Sequence, residues 1–266
     1  MKEASHHTDV DVVLEARGLR KEFRGYVAVN SVDLDIRRGT IHALIGPNGA
    51  GKSTTVKILC GLISDYDGTV LVNGINLKEN PIAVKKMIGY VPELAELYDV
   101  LTPLEFLGLM ANLYEIDEAI ATERIHKMMQ AFGLSDNINQ RMDTFSKGMK
   151  QKVLISSGLL HNPEIIILDE PLSGLDANSV IIVKELINRL AKEGKTIFYC
   201  SHMMDVVEKV SDRIILINNG EVIADGSFHE LQSQQGNKSL EKIFAQLTAQ
   251  EALSDTADQL IKAFDN

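Results

Sequence analysis

Short apolar runs separated by turn residues fill the first ninety positions, and each run is long enough for a strand. The pieces at 10–14, 27–29 and 32–36 read as β-like segments. Residues Ile41–Ile45 form a compact apolar strand that runs straight into a glycine-rich turn. A helix is predicted over 52–62. A further strand at 69–72 ends at Asn73-Gly74, a strong turn pair, and one at 88–91 is stopped by Pro92.

The period changes over 103–132. Leu104, Leu107, Leu109, Met110 and Leu113, then Ile120, Ile125, Met128 and Met129, recur at helical spacing. This predicts a helical lobe, about 94–151, inserted into the β-rich framework, with the methionines filling its core. After Pro163 an α/β rhythm resumes. Strands at 165–168 and 196–200 alternate with helices at 179–192, closed by Gly194, and near 203–210. A hairpin follows, with strands at 213–217 and 222–224 across Asn219-Gly220. Beyond Gln232 the run Ser-Gln-Gln-Gly-Asn-Lys reads as a linker. It leads into a helical tail, 233–266, with Leu240, Ile243, Phe244 and Leu247 on one face. No internal repeat is visible, so one unit per chain is expected.

Composition narrows the class. At 266 residues, 45% hydrophobic and 24% charged, the chain can bury a large core in one domain or one domain with a lobe. No apolar run approaches the roughly 18 residues that span a bilayer. A soluble chain is therefore expected, with any membrane role supplied by a partner. The first nine residues lack the apolar core of a secretory signal, and His6 and His7 read as a solvated pair. Cys60 and Cys200 are too few for a disulfide framework, which fits a reducing cytoplasm. The net charge of −10 argues against a nucleic-acid partner. Charge is uneven, however: 141–152 holds four basic residues and one acid.

Two motifs carry chemistry. Gly46-Pro47-Asn48-Gly49-Ala50-Gly51-Lys52-Ser53, followed by Thr54, fits a phosphate loop between a strand and a helix. Its glycines let backbone N–H groups converge on phosphate oxygens, and the helix dipole favours the same anion. Lys52 reaches the β- and γ-phosphates, and the Ser53 hydroxyl suits Mg²⁺. The second motif is an apolar strand ending in Asp169-Glu170. It places Asp169 near the phosphate loop to hold Mg²⁺, and Glu170 where it polarises an attacking water.

With these and four further segments, residues 10–232 resemble an ABC-type nucleotide-binding domain. Phe145-Ser146-Lys147-Gly148-Met149 resembles the family signature, usually Leu-Ser-Gly-Gly-Gln, with Lys147 in place of a glycine. The resemblance implies that Ser146 and Gly148 touch the γ-phosphate of ATP on the opposite subunit. Lys147, Lys150 and Lys152 would make that helix start an anion-binding end. Ser173-Gly174-Leu175-Asp176 resembles the loop that crosses the dimer interface, and His202 the switch histidine that contacts the γ-phosphate. Phe23 resembles the aromatic that stacks on adenine, with Tyr26 a competing candidate. Glu93 stands where the family normally has glutamine, and is a candidate Mg²⁺ ligand.

The fold implied is α/β: a phosphate-loop ATPase core with an antiparallel β subdomain and an inserted helical lobe. The implied activity is hydrolysis of ATP to ADP and phosphate, with ATP and Mg²⁺ bound. Glu170 would be the base, and Lys52 and His202 catalytic groups. The implied partners are a second nucleotide-binding subunit and a polytopic membrane permease, with the chain at the inner face of the cell membrane. The Glu93 loop and the Ser-Lys-Gly-Met-Lys-Gln signature resemble bacterial exporter-type members. A soluble ABC-type ATPase without a transporter is the alternative.

Overall fold

The computed structural model describes residues 11–93, 97–236 and 238–248. The chain opens with two long antiparallel strands, β1 (Val12–Phe23) and β2 (Tyr26–Arg37). Both exceed the expected pieces at 10–14, 27–29 and 32–36. Charged residues and Gly18 interrupt the apolar alternation of β1, and Ser31 at φ +54° interrupts β2, yet the pairing continues through register shifts. Next come β3 (Ile41–Ile45) and α1 (Lys52–Leu59). Helix α1 stops three residues before the expected end. Gly61 at φ +65° closes it, with Gly61 N–H donating to Ile58 O and Leu62 N–H to Lys57 O. Then follow β4 (Asp67–Val72), β5 (Ile75–Asn76), α2 (Pro81–Met87) and β6 (Ile88–Val91). Helix α2 buries only Val84, so it carries no apolar stripe in the sequence.

The inserted helices are α3 (Pro103–Leu113), α4 (Glu118–Ala131) and α5 (Lys147–Leu159). Each starts on a side-chain cap: Thr102 with Glu105 in a capping box, Asp117, and Ser146. Phe106, Leu107, Ile125 and Met129 are buried between them. Helix α5 runs past the expected lobe boundary and packs on β6.

The remaining elements are β7 (Ile165–Asp169), α6 (Ala177–Lys192), β8 (Thr196–Cys200), α7 (Met204–Val210), β9 (Arg213–Asn218), β10 (Glu221–Gly226), α8 (Phe228–Gln234) and α9 (Leu240–Leu247). Where a linker was expected, α8 begins on a second capping box, Ser227 with Glu230, and continues to Gln234. In α9, Leu240 and Ile243 are fully buried beside Val206, Val207 and Val210 of α7. The rest of the expected tail, 249–266, lies outside the described residues, as do 1–10.

Two sheets result. One is antiparallel, in the order β2-β1-β4-β5; the other runs β10-β9-β3-β8-β7-β6, parallel except at β10. Both faces of the second sheet are covered, as parallel sheets require. Ile41, Ala43 and Ile45, with Ile166, Leu168, Ile197 and Tyr199, face the inserted lobe, α6, α7 and α9. Leu44, with Ile165, Ile167, Phe198 and Cys200, faces α1 and the antiparallel sheet. Each such side chain contributes roughly 1.5–3 kcal/mol by leaving water.

His42 sits on the second face, fully buried. Its Nε2 accepts from the Arg37 N–H at 3.2 Å, and its Nδ1 has no partner. Burial, then Arg213 and Arg37, lower its pKa from 6.5 to about 4. A base held below its ordinary pKa stabilises the fold fully above pH 6.5, and that contribution is lost as pH falls towards 4. The upper bound is about 3 kcal/mol. Thermal melts between pH 7 and pH 4 are therefore expected to show a falling Tm. His42→Gln should flatten part of that slope while leaving Tm at pH 4 close to the parent's.

Candidate functional site

Four neighbouring parallel strands, β3, β8, β7 and β6, end on the same edge of their sheet. Their carboxyl ends deliver the phosphate loop, His202, Asp169-Glu170 and Glu93 in turn, where α/β sheets place ligands. A cleft of about 690 Å³ opens there. Among the expected site residues, Phe23, Asn48, Gly49, Gly51, Lys52, Ser53, Thr54, Glu93, Asp169, Glu170 and His202 line it.

The phosphate loop is shaped by close packing. Gly51 has φ +103°, and a Cβ there would stand 2.3 Å from the Ala28 carbonyl oxygen, so only glycine fits. Gly46, Pro47 and Ala50 do not line the cleft. Gly46 is pressed against the backbone of Ile217, and Ala50 is buried, its carbonyl accepting from Gly220 N–H. Lys52 Nζ donates to the Gly46 and Pro47 carbonyls at 2.8 and 3.0 Å, which holds its charge across the loop.

Both aromatic candidates reach the cleft. The Tyr26 hydroxyl donates to the Gly49 carbonyl at 2.9 Å, tying that ring to the loop. Phe23 lies with Lys21 Nζ 5.0 Å from its ring centre. Each is partly exposed, as a stacking surface must be.

Asp169 is almost fully buried, and its Oδ1 has no hydrogen-bond partner. Burial raises its pKa, Ser53 offsets the rise by hydrogen bonding, and Glu93 and Glu170 add to it. A buried carboxylate in that condition is stabilised by a cation. Among the described residues, no group of three or more His, Cys, Asp or Glu side chains gathers as a metal cage. Mg²⁺ needs none: it takes one or two protein oxygens and completes its shell with phosphates and water. Ser53, Asp169 and Glu93 suit that demand, and together they also line a second cleft of about 350 Å³.

Glu170 turns through the left-handed region, φ +49°, with its N–H donating to Cys200 O. Its carboxylate is only 12% exposed and meets His202 Nδ1 at 2.9 Å. The sequence named these two residues separately and missed their pairing. Strand spacing alone carries no signal for it, because it depends on the lateral neighbourhood of β7 and β8.

Ser146 and Gly148 lie outside the cleft. Ser146 caps α5, its Oγ accepting from Met149 N–H at 3.2 Å. Gly148 packs on the backbone of Gly174, where a Cβ would come within 2.7 Å of the carbonyl oxygen. The expectation for the lysines needs correction. Lys147, Lys150 and Lys152 do not gather at the helix start as a free cationic end, because each amine is turned to a neighbouring segment of the same chain.

Comparison with known proteins identifies the family. A family model described as ABC transporter matches residues 29–173. The chain is 38% identical over 218 residues to the ABC transporter ATP-binding protein NatA of Bacillus subtilis, covering 82% of this chain and 89% of that one. It is 34% identical over 227 residues to the daunorubicin/doxorubicin resistance ATP-binding protein DrrA of Streptomyces peucetius, covering 85% and 69%. A solved ATP-binding subunit of an ABC transporter superposes with a TM-score of 0.84 at 33% identity, over 89% of this chain and 99% of that one. A dimeric ATP-binding cassette solved in a post-hydrolysis state with ADP and Pi gives 0.75 at 25% identity, over 80% and 98%. With its phosphate loop, acidic strand end and signature segment in place, the chain belongs to the ABC transporter family as an ATP-binding protein.

Proposed function

We propose that the chain hydrolyses ATP as one of two facing subunits and drives a polytopic membrane permease, in the export direction. The observation that carries this reading is the convergence of Lys52, Asp169, and the Glu170–His202 pair on one cleft, while Ser146 and Gly148 stand outside it. A single chain holds the charge and the base, and the signature is left to complete a second copy's site.

In the reaction ATP + H₂O → ADP + phosphate, the phosphate loop and Lys52 hold the β- and γ-phosphates. Phe23 or Tyr26 stacks on the purine. Ser53, Asp169 and Glu93 would hold Mg²⁺, which supplies charge neutralisation at the phosphates. Glu170 takes the proton of the attacking water. His202 Nδ1 orients the Glu170 carboxylate, leaving Nε2 for the γ-phosphate. Ser146 and Gly148 close the partner's site, so that binding shuts the dimer and turnover opens it.

Membrane coupling is supported by the names of the relatives. DrrA is a drug-resistance ATP-binding protein, which favours export. Among the described residues no helix is long and apolar enough to cross a membrane, and the permease is read as a partner. Affinity purification from solubilised membranes should recover such a polytopic protein at near-equal stoichiometry; soluble partners alone would favour an uncoupled ATPase.

Glu170→Gln is expected to retain ATP binding, lower turnover at least a hundredfold and accumulate a dimer with ATP and Mg²⁺ on size exclusion. Ser146→Arg should stop turnover while the monomer's ATP affinity stays within twofold. Collapse of that affinity would mean the signature works within its own chain.

Glu93 sets the metal requirement. A carboxylate attracts Mg²⁺ more strongly than an amide oxygen, and without metal its charge opposes the γ-phosphate. Glu93→Gln should therefore raise the Mg²⁺ concentration for half-maximal ATPase several-fold. An unchanged Mg²⁺ dependence, with loss confined to permease-stimulated activity, would assign Glu93 to coupling.

A further inference from the structure

The basic run at 141–152 places three lysines on the first turns of α5; Lys150 reaches the 97–101 segment, and Lys147 and Lys152 reach the loop leaving Glu170. Lys147 Nζ donates to Ser173 Oγ at 2.9 Å, and its stem lies along Gly174, where a Cβ would come within 2.8 Å of Lys147 Cδ. Lys150 Nζ donates to Asp99 Oδ2 at 2.7 Å. Lys152 Nζ stands 3.5 Å from Asp176 Oδ2. Gln151, buried between them, donates to the Pro171 carbonyl at 3.3 Å.

A solvated basic face would leave these amines in water. Instead the side chains of Lys150 and Lys152 are 19% and 16% exposed, and the exposed Lys147 is held at Ser173. The segment that Lys150 grips is itself pinned to the lobe: Asp143 N–H donates to Asp99 O and Met142 N–H to Leu101 O. The segment held by Lys147 and Lys152 is the one leaving Glu170, and Asp176 caps α6 through Ser179.

The geometry points to Lys147, Lys150 and Lys152 as positioning residues that clamp the 97–101 segment, the start of α5 and the 171–176 loop into one body. The inference rests on the reading that Ser146 and Gly148 complete a second copy's site. The clamp fixes how those two residues are presented relative to Glu170. It also joins Ser146 and Gly148 to Asp99, six residues beyond Glu93, so a change at the Glu170–His202 pair moves the α5 start and the 97–101 segment together. The family signature usually has glycine where Lys147 stands, and a glycine has no side chain to reach Ser173.

The test uses Lys147→Met and Lys150→Met, which keep the stems and remove the amines, and the acceptor changes Ser173→Ala and Asp99→Asn. Amide hydrogen exchange is read on the nucleotide-free full chain, alongside ATP turnover and ATP binding. Lys147→Met should speed exchange at least tenfold within 171–176 and lower kcat at least fivefold, with KM within twofold. Ser173→Ala should do the same, the double variant should add nothing further, and Lys147→Arg should restore turnover. Lys150→Met and Asp99→Asn should behave likewise for 97–101; if either proves unfolded by its melt, the exposed Lys147–Ser173 pair decides alone. Unchanged exchange, faster exchange with normal kcat, or additive losses in the double variant would each overturn the clamp. Exchange is read in the monomer and the two-subunit reading is tested by ATP binding to Ser146→Arg, so the two failures are separable.

Discussion

Burial of both faces of the parallel sheet is the constraint from which the rest follows. Strands β3, β7 and β8 are too short to hold themselves in register by hydrogen bonds alone. Their side chains alternate between two separate cores, and a slip by one residue would exchange every one of them. That penalty fixes where each strand ends. Asp169 pairs with Cys200, and Leu44 with the same residue from the other side, so the ends of three strands align. The phosphate loop, Asp169-Glu170 and His202 therefore share an edge because their hydrophobic stems are locked, not because they attract each other. The three carboxylates of Glu93, Asp169 and Glu170 in fact repel one another where they crowd one cleft.

That crowding gives the cleft its selectivity. The Asp169 carboxylate is out of water with one oxygen unpartnered, a state that costs free energy until a cation or proton arrives. Across the cleft stands a donor, the Lys52 amine, held on the phosphate loop by the Gly46 and Pro47 carbonyls. A cleft with acids on one side and donors on the other suits a ligand carrying both a cation and phosphates. Glu170 is kept in the left-handed region by its N–H bond to Cys200 O, which aims its side chain along the cleft towards His202. The strain is small and local, and the sheet beneath supplies the rigidity that holds it.

Much of this was legible in the sequence. The strands Ile41–Ile45, Ile88–Val91 and Thr196–Cys200 emerge at their observed bounds, because short, largely buried strands are written as mostly apolar runs between turn residues. Methionines 128 and 129 pack in the lobe core as expected. What escaped had no periodic mark. Strand β1 carries charges on its outer face, α2 buries one side chain, and α8 is announced only by the Ser227–Glu230 cap. Within the site the residue types were readable, but their partners were not. Nothing in the spacing of Glu170 and His202, 32 positions apart, says that strands β7 and β8 are neighbours.

The basic run shows the limit most clearly. Read along the sequence, Lys147, Lys150 and Lys152 beside a signature segment suggest phosphate binding. Helical geometry says otherwise. Positions 147 and 150 lie about 60° apart around the axis, and 150 and 152 about 160° apart, at roughly 100° per residue. Such a spread cannot direct three amines at one anion. It can direct them at separate neighbours, and α5 has two: the 97–101 segment, and the loop leaving Glu170, which Lys147 meets at Ser173 and Lys152 at Asp176. A helix wedged between two loops gains more from satisfying each with its own donors than from concentrating charge that no neighbour balances. At its start the Ser146 side chain engages the Met149 N–H, which leaves the first N–H groups of the helix as the element that the proposed two-subunit reading turns to an anion.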